Sequence, residues 1–284
     1  MTQPTPDPAS QTWEPLVLTV APNGARKTKR DHPALPITPA ELAAEAEASL
    51  AAGAAMIHLH VRDAEDQHSL DPGRYREAID AIRERVGNKI VIQMTTEAVG
   101  RYSPAEQMAS VRAVEPEAVS LAVREFFSDS NLEKDAARFT HELAERGVMA
   151  QYIVYSEEDL QWFSSLRDTG KLPIQAQSLL FVLGRYTAGQ RSEPSDLLPF
   201  LRANKPNYSW ALCAFGPKEA ACAAAAATLG GHARVGFENN LLLSDGTPAP
   251  NNAALIAQAV AIARAIGRPL ASADTLRMAA KTVP

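Results

Sequence analysis

Residues 56–87 read MIHLHVRDAEDQHSLDPGRYREAIDAIRERVG, one complete strand–helix unit. Short apolar residues alternate with imidazoles over Met56–Val61, which predicts a strand. Asp71 precedes Pro72. An aspartate caps the free amides of a first helical turn, and proline is tolerated inside that turn because its missing N–H has no partner there. The helix predicted over Pro72–Val86 stops at Gly87, which accepts left-handed backbone.

The same grammar extends in both directions. Strands are predicted at Leu16–Ala21, Ile90–Thr95, Ala118–Ala122, Ala150–Tyr155, Ser178–Leu183, Ser209–Ala214 and Ala233–Phe237. Helices are predicted at Pro39–Ala52, Pro104–Val114, Leu132–Arg146, Glu157–Asp168, Pro194–Ala203, Lys218–Leu229 and Ala253–Ile266. Thr38 and Ser103 are caps, and Gly53, Gly147, Gly230 and Gly267 are stops. Eight strand–helix units close most simply into an α/β fold of the (β/α)8 type, a TIM barrel. An open doubly wound sheet is the runner-up. It is weakened because neither G-x-G-x-x-G nor a P-loop follows the first strand.

A length of 284 residues suggests about two domains at ~150 residues each, but barrels reach this size as one. The expectation is a single barrel over residues 15–284 behind a flexible tail, residues 1–14, which carries Pro4, Pro6 and Pro8. Apolar residues at 46% and charged residues at 21% exclude a disordered chain. A net charge of −5 argues against a broad nucleic-acid-binding face, while leaving room for a local basic pocket. Cys213 and Cys222 form no C-x-x-C pair, which fits a reducing cytoplasm. Met1–Thr12 lacks the basic-then-apolar order of a secretory signal, and no uncharged apolar run reaches the ~18 residues of a membrane span.

Side chains alternate along a strand, so His58, His60 and Arg62 share one face and Ile57, Leu59 and Val61 the other. The histidines then point into the barrel near its C-terminal end, where barrel active sites lie. Two imidazoles ~6.5–7 Å apart along a strand can converge on one Zn²⁺. The alternative is a pair of histidines hydrogen-bonded in a polar core. In Arg234-Val235-Gly236-Phe237-Glu238-Asn239-Asn240, Arg234, Gly236 and Glu238 share a parity. Gly236 is expected to leave room inside the barrel, and Glu238 to supply a third ligand. Taken alone, Glu238 could equally pair with Arg62 or Arg234.

Ile57–Asp63 (IHLHVRD) and residues 230–240 (GGHARVGFENN) resemble the β-keto acid cleavage enzymes. That family is typified by the 3-keto-5-aminohexanoate cleavage enzyme. Shorter likenesses are Val20–Arg26, Leu35–Leu42, Thr95-Thr96 and Phe181–Gly184, so the resemblance spans about residues 15–284. It implies a (β/α)8 fold, a divalent metal (usually Zn²⁺) and often a homotetramer. It also implies transfer chemistry with acetyl-CoA as co-substrate: a β-keto acid and acetyl-CoA give acetoacetate and a new acyl-CoA. His58, His60 and Glu238 are the implied metal ligands, with Arg234 beside them as the charge-stabilising cation. A β-keto acid can chelate a metal through ketone and carboxylate oxygens, and fixed cations stabilise the charge that develops.

The chain departs from the family pattern at three places. Asn239 stands where the family commonly has an aspartate assigned as the base, and an amide cannot hold a proton at neutral pH. Glu97 is the candidate replacement; its other reading is an outward loop charge. Glu97-Ala98 also replaces the glycine pair that usually follows Thr95-Thr96. The fifth strand is Gln151-Tyr152-Ile153-Val154-Tyr155 where the family often carries carboxylates. Arg234, Asn239 and Glu97 are thus the catalytic candidates. Asn23, Arg26, Thr95, Thr96 and Ser120 are the substrate-binding candidates, Asn23 being alternatively a turn residue next to Gly24.

Arg26, Lys27, Lys29 and Arg30 form a basic run after the first strand. It could meet CoA phosphates or be a solvated surface. His232 is expected to be structural, His141 and His68 to lie at the surface, and both cysteines to be packing residues. Two other functions compete with acyl transfer. One is a metal-dependent barrel hydrolase; the other is a non-catalytic, metal-binding metabolite binder.

Overall fold

The computed structural model describes residues 13–129, 131–204 and 208–282. Eight strands form the closed barrel: β1 (Leu18–Val20), β2 (Met56–Leu59), β3 (Val91–Thr95), β4 (Ala118–Ala122), β5 (Met149–Val154), β6 (Ser178–Leu183), β7 (Ser209–Ala214) and β8 (His232–Val235). Each pairs in parallel with its sequence neighbours, and β8 closes on β1 through Leu18↔Ala233 to Val20↔Val235. Parallel pairing demands a crossover after every strand, and the amphipathic segments supply it.

The helices of more than one turn are α1 (Pro39–Ala52), α2 (Pro72–Val86), α3 (Pro104–Val114), α4 (Glu133–Glu145), α5 (Glu157–Asp168), α6 (Leu198–Ala203), α7 (Glu219–Thr228), α8 (Asn252–Ala265) and α9 (Ala273–Thr282), and a single turn, Val123–Phe126, follows β4. Thr38, Asp71 and Ser103 each accept a backbone N–H of the first turn, as their sequence positions foretell. The expected helix Pro194–Ala203 is broken: a 3₁₀ turn, Pro194–Leu197, precedes α6. Pro199 inside that segment has no N–H for a continuous α-helix.

Outward-facing strand residues such as Ile57, Leu59, Tyr152, Phe181 and Leu212 join the helices in one large core. Inward-facing residues make two smaller clusters. Leu180, Val182, Ala211, Cys213 and Phe215 lie together, and Met56, Val91 and Ala118 sit at the opposite end against Ala273 and Leu276 of α9. That last helix had no sequence expectation. It packs across the barrel's N-terminal end, where Arg277 pairs with Glu117 at 3.1 Å. Among the described residues no helix is long and apolar enough to cross a membrane.

The expected flexible segment, residues 1–14, lies outside the described residues except for its last two. Those two are held: Arg268 donates to the Glu14 carbonyl at 2.8 Å and its guanidinium faces the Trp13 ring at 5.6 Å.

His232 is structural, as expected. Its Nδ1 accepts from Val17 N–H at 3.1 Å. Burial, then Arg268, lowers its imidazole to about 4 from an ordinary 6.5. The unfolded chain therefore takes up a proton that the fold refuses between those values. The stability tied to this residue is complete above pH 6.5 and is lost as pH falls toward 4, at about 1.4 kcal/mol per pH unit. In His232→Asn, whose amide oxygen can still accept from Val17, the acid-side fall in denaturant midpoint should be shallower. An unchanged slope would show that another group controls it.

Candidate active site

The mouth formed by the C-terminal strand ends holds a cavity of about 300 Å³. His58 enters it from β2, because Ile57 and Leu59 on the alternate face are fully buried in the outer core. β2 ends at Leu59, so His60 follows it by one residue. The chain then forms a two-stranded ribbon in which Val61–Arg62 pairs with His68–Ser69. The expected single face of His58, His60 and Arg62 breaks there. Arg62 is buried and donates to the carbonyls of Asn23, Gly24, Lys27 and Asp66, clamping the loop after β1.

Glu238 likewise arrives by a turn. β8 ends at Val235, and Asn239 and Asn240 N–H both donate to the Gly236 carbonyl. Glu238 N–H donates to Ala21 O at 3.0 Å. Gly236 has φ +147°, and a Cβ there would strike the Ala21 carbonyl oxygen. It thus permits close approach of β8 to β1 and does not create room inside the barrel, as had been expected. Two buried side chains hold the turn from below. Glu219 accepts from Gly236 N–H at 3.1 Å and from Asn240 Nδ2 at 3.3 Å. Asn252 accepts from Phe237 N–H at 2.7 Å while donating to Pro22 O and Glu45. Burial pushes the Glu219 carboxyl up to about 8.

His58, His60 and Glu238 each offer a ligand atom, all within 4.8 Å of one another. The two Nε2 atoms are 3.2 Å apart, and Glu238 Oε2 lies 3.7 and 3.4 Å from them. A tetrahedral ion with bonds of about 2.0–2.1 Å sets its donors about 3.3 Å apart, so the triad fits a divalent metal. Glu238 Oε2 is buried without a hydrogen-bond partner, as a ligand oxygen awaiting a cation would be.

The hydrogen bonds behind the histidines select the tautomers such an ion needs. Gln93 Nε2 donates to Gln151 at 3.3 Å, so its Oε1 accepts from His58 Nδ1–H at 2.8 Å. His68 Nε2–H donates to the Glu97 carbonyl at 2.8 Å, so its Nδ1 accepts from His60 Nδ1–H at 3.4 Å. Both Nε2 lone pairs are left for the cavity. His68 is only 4% exposed, which overturns its expected surface position. Burial lowers His68 to about 3, and burial followed by Arg234 lowers His58 to about 3, so both rings stay neutral. Gln93→Leu and His68→Phe should each weaken metal binding by ~10–100-fold in a chelator competition. Unchanged affinity in both would refute the tautomer assignment.

Arg234 donates to the other Glu238 oxygen at 2.8 Å and to Cys213 Sγ at 3.1 Å. Burial opposes ionisation of Glu238, but Arg234 outweighs it and holds the carboxyl well below the usual range. Burial pushes the Cys213 thiol up to about 11. Cys213 is therefore a neutral neighbour of the site as well as a packing residue.

A profile of the beta-keto acid cleavage enzyme family matches residues 15–281. The chain belongs to that family. It is 33% identical over 270 residues to the 3-keto-5-aminohexanoate cleavage enzyme of Fusobacterium nucleatum subsp. nucleatum, covering 93% of this chain and 97% of the relative. It is 29% identical over 274 residues to the 3-oxoadipate:acetyl-CoA acetyltransferase of Cupriavidus necator, covering 93% and 94%. A solved binary complex of ObcA with oxaloacetate superposes with a TM-score of 0.70 at 17% identity, over 88% of this chain and 67% of that one. At that identity the likeness speaks for the barrel alone.

Within this family member, Asn23, Arg26, Thr95, Glu97 and Arg234 line the same cavity as His58 and Glu238. Glu97 is no outward loop charge: it lies 3.3 Å from Arg185 and 4.0 Å from Arg26. Thr96 is committed elsewhere, its hydroxyl donating to Ser120 O at 2.8 Å. Ser120 Oγ is buried without a partner, and Ser120 does not line the cavity. Asn239 does not line the cavity: its Nδ2 donates to Cys213 Sγ at 3.3 Å, beside Arg234, and its Oδ1 is buried without a partner. The basic run divides: Lys27 Nζ donates to Glu238 O at 2.6 Å, while Lys29 pairs with Glu41 on α1. Asn23 keeps the turn role too, donating to Pro36 O and His60 O. Sequence reading missed Gln93, His68, Glu219 and Arg185. Arg185 follows the Phe181–Gly184 motif directly, and the parity of β3 sets Gln93 inward with Thr95; nothing local marks His68 or Glu219.

Proposed function

We propose that this chain condenses a β-keto acid with acetyl-CoA and releases acetoacetate and a new acyl-CoA. The observation that carries the proposal is the His58–His60–Glu238 triad with its unpartnered Glu238 Oε2, set beside Arg234 at the mouth of a barrel of this family. The metal proposed is Zn²⁺, which when bound supplies Lewis acidity toward the oxygens of the keto acid.

The chain's own groups have these roles. Glu97 takes a proton from C2 of the keto acid, since of the other cavity carboxylates Glu238 belongs to the metal-ligand triad and Asp31 caps Thr28. Arg185 orients it from 3.3 Å. C2 then bonds to the acetyl carbonyl carbon as the CoA thiolate leaves. The thiolate then adds to the C3 carbonyl, the C2–C3 bond breaks to leave the acyl group on CoA, and Glu97 returns its proton to C2 of the acetoacetate enolate. Arg234, buried and charged, faces the oxygens on which negative charge collects. Thr95 and Asn23 position substrate, and exposed Arg26 meets the CoA phosphates. The two buried free thiols, Cys213 and Cys222, suit a reducing cytoplasm.

Metal content is measured first. The protein is then incubated with β-keto acids and acetyl-CoA, and acetoacetate and acyl-CoA are assayed. Turnover at stoichiometric metal is the expected result, and Glu97→Gln should reduce kcat by about 10²–10⁴-fold, the usual worth of a positioned base. Metal and keto acid bound without turnover would instead make this a metabolite binder, the reading that Asn239 favours. A barrel hydrolase would need further histidines at the mouth, whereas His141 bonds Gly170 O and His68 is committed to His60 and the Glu97 carbonyl.

A further inference from the structure

The cavity has two unlike sides. Around β1, β2 and β8 it is polar and charged, with Lys27, His58, Arg234 and Glu238. Around β5, β6 and β7 its wall is Ile153, Tyr155, Val182 and Phe215, with Arg185 and the uncharged Gln190 from the loop after β6. The first four belong to one apolar cluster inside the barrel, separate from the main core, in which Val182 and Phe215 are each 5% exposed. The parity of β5 puts Ile153 and Tyr155 inward, while Tyr152 and Val154 are buried in the outer core.

The charges bordering this wall are already matched. Arg185 pairs with Glu97 at 3.3 Å and its guanidinium lies 5.3 Å from the Phe215 ring. Arg124 pairs with Asp159 at 2.6 Å and lies 4.6 Å from the Tyr155 ring. A substrate carboxylate on this side would compete with Glu97 for Arg185. A substrate ammonium would find Glu97 already shared by Arg185 and Arg26. An unpaired charge seated there would lose its hydration without replacement.

Resting on the acyl-transfer reading above, we infer that the group beyond C3 of the keto acid is an uncharged aliphatic chain bedded on Ile153, Val182, Phe215 and Tyr155. The acidic end of the substrate then faces the triad and Arg234, and each methylene beyond C3 gains the roughly tenfold that a buried methylene supplies.

Three six-carbon keto acids separate the possibilities: 3-oxohexanoate, 5-amino-3-oxohexanoate and 3-oxoadipate. The first should show the highest kcat/KM, about 10²-fold or more above the charged pair. Ile153→Glu should lower it by at least tenfold and raise the amino compound relative to it; Ile153→Gln, which adds no charge, controls for fit and folding. Binding of the same acids to the metal-loaded protein is measured by calorimetry without acetyl-CoA. Turnover that favours a charged acid overturns the wall inference and leaves the acyl-transfer reading standing. Preferential binding of 3-oxohexanoate without turnover does the reverse. Equal binding of all three, or binding of none, overturns the inference.

Discussion

Replacing His58 and His60 together by alanine removes bound metal, from near one ion per chain to background. Acetoacetate formation falls with it by on the order of 10³-fold or more, because even one lost preorganised charge-stabilising group costs ~10²–10³. The fold should survive. His58 is neutral, so its loss strands no charge, and Glu238 keeps its 2.8 Å pair with Arg234. Metal analysis after gel filtration checks the first half, and circular dichroism the second. Metal retained at full stoichiometry in a folded double variant would remove the triad from consideration.

Arg234→Met should have the largest effect on stability. The guanidinium is 4% exposed and is the cation that keeps Glu238 ionised against burial. Removing one member of a buried ion pair costs ~3–5 kcal/mol, chiefly because the survivor is left charged and unpaired. At about 2–4 °C per kcal/mol for a chain of this size, the melting temperature should drop by roughly 6–20 °C. Adding Glu238→Gln should restore part of that loss, since the stranded charge is then gone. A double variant no more stable than Arg234→Met alone would show that the arginine's contacts with Cys213, and not its pairing with Glu238, hold this end of the barrel.

The barrel was legible because its signals are local. A cap, a proline in the first turn, and a glycine stop each act within four residues, so α1, α2 and α3 begin and end where Thr38, Asp71, Ser103 and the residues behind them say. Strand parity is equally local, and it singled out His58 from six histidines. Parity failed where the strands stopped short. β2 ends one residue before His60 and β8 three before Glu238, so the alternation credited with aiming them had already lapsed.

The sequence by itself determined the eight-unit order and picked out His58, His60 and Glu238 as candidate metal ligands, because each depends on residue identity and near-neighbour geometry. Only the tertiary structure decided how His60 and Glu238 converge with His58: through a ribbon that brings in His68 and a turn braced by Glu219 and Asn252. It also decided that Glu97 faces Arg185 across the mouth, and that β5, β6 and β7 line one side with apolar groups. Those outcomes depend on barrel closure, which sets β8 against β1 and so joins residues more than two hundred positions apart; no local pattern carries that distance.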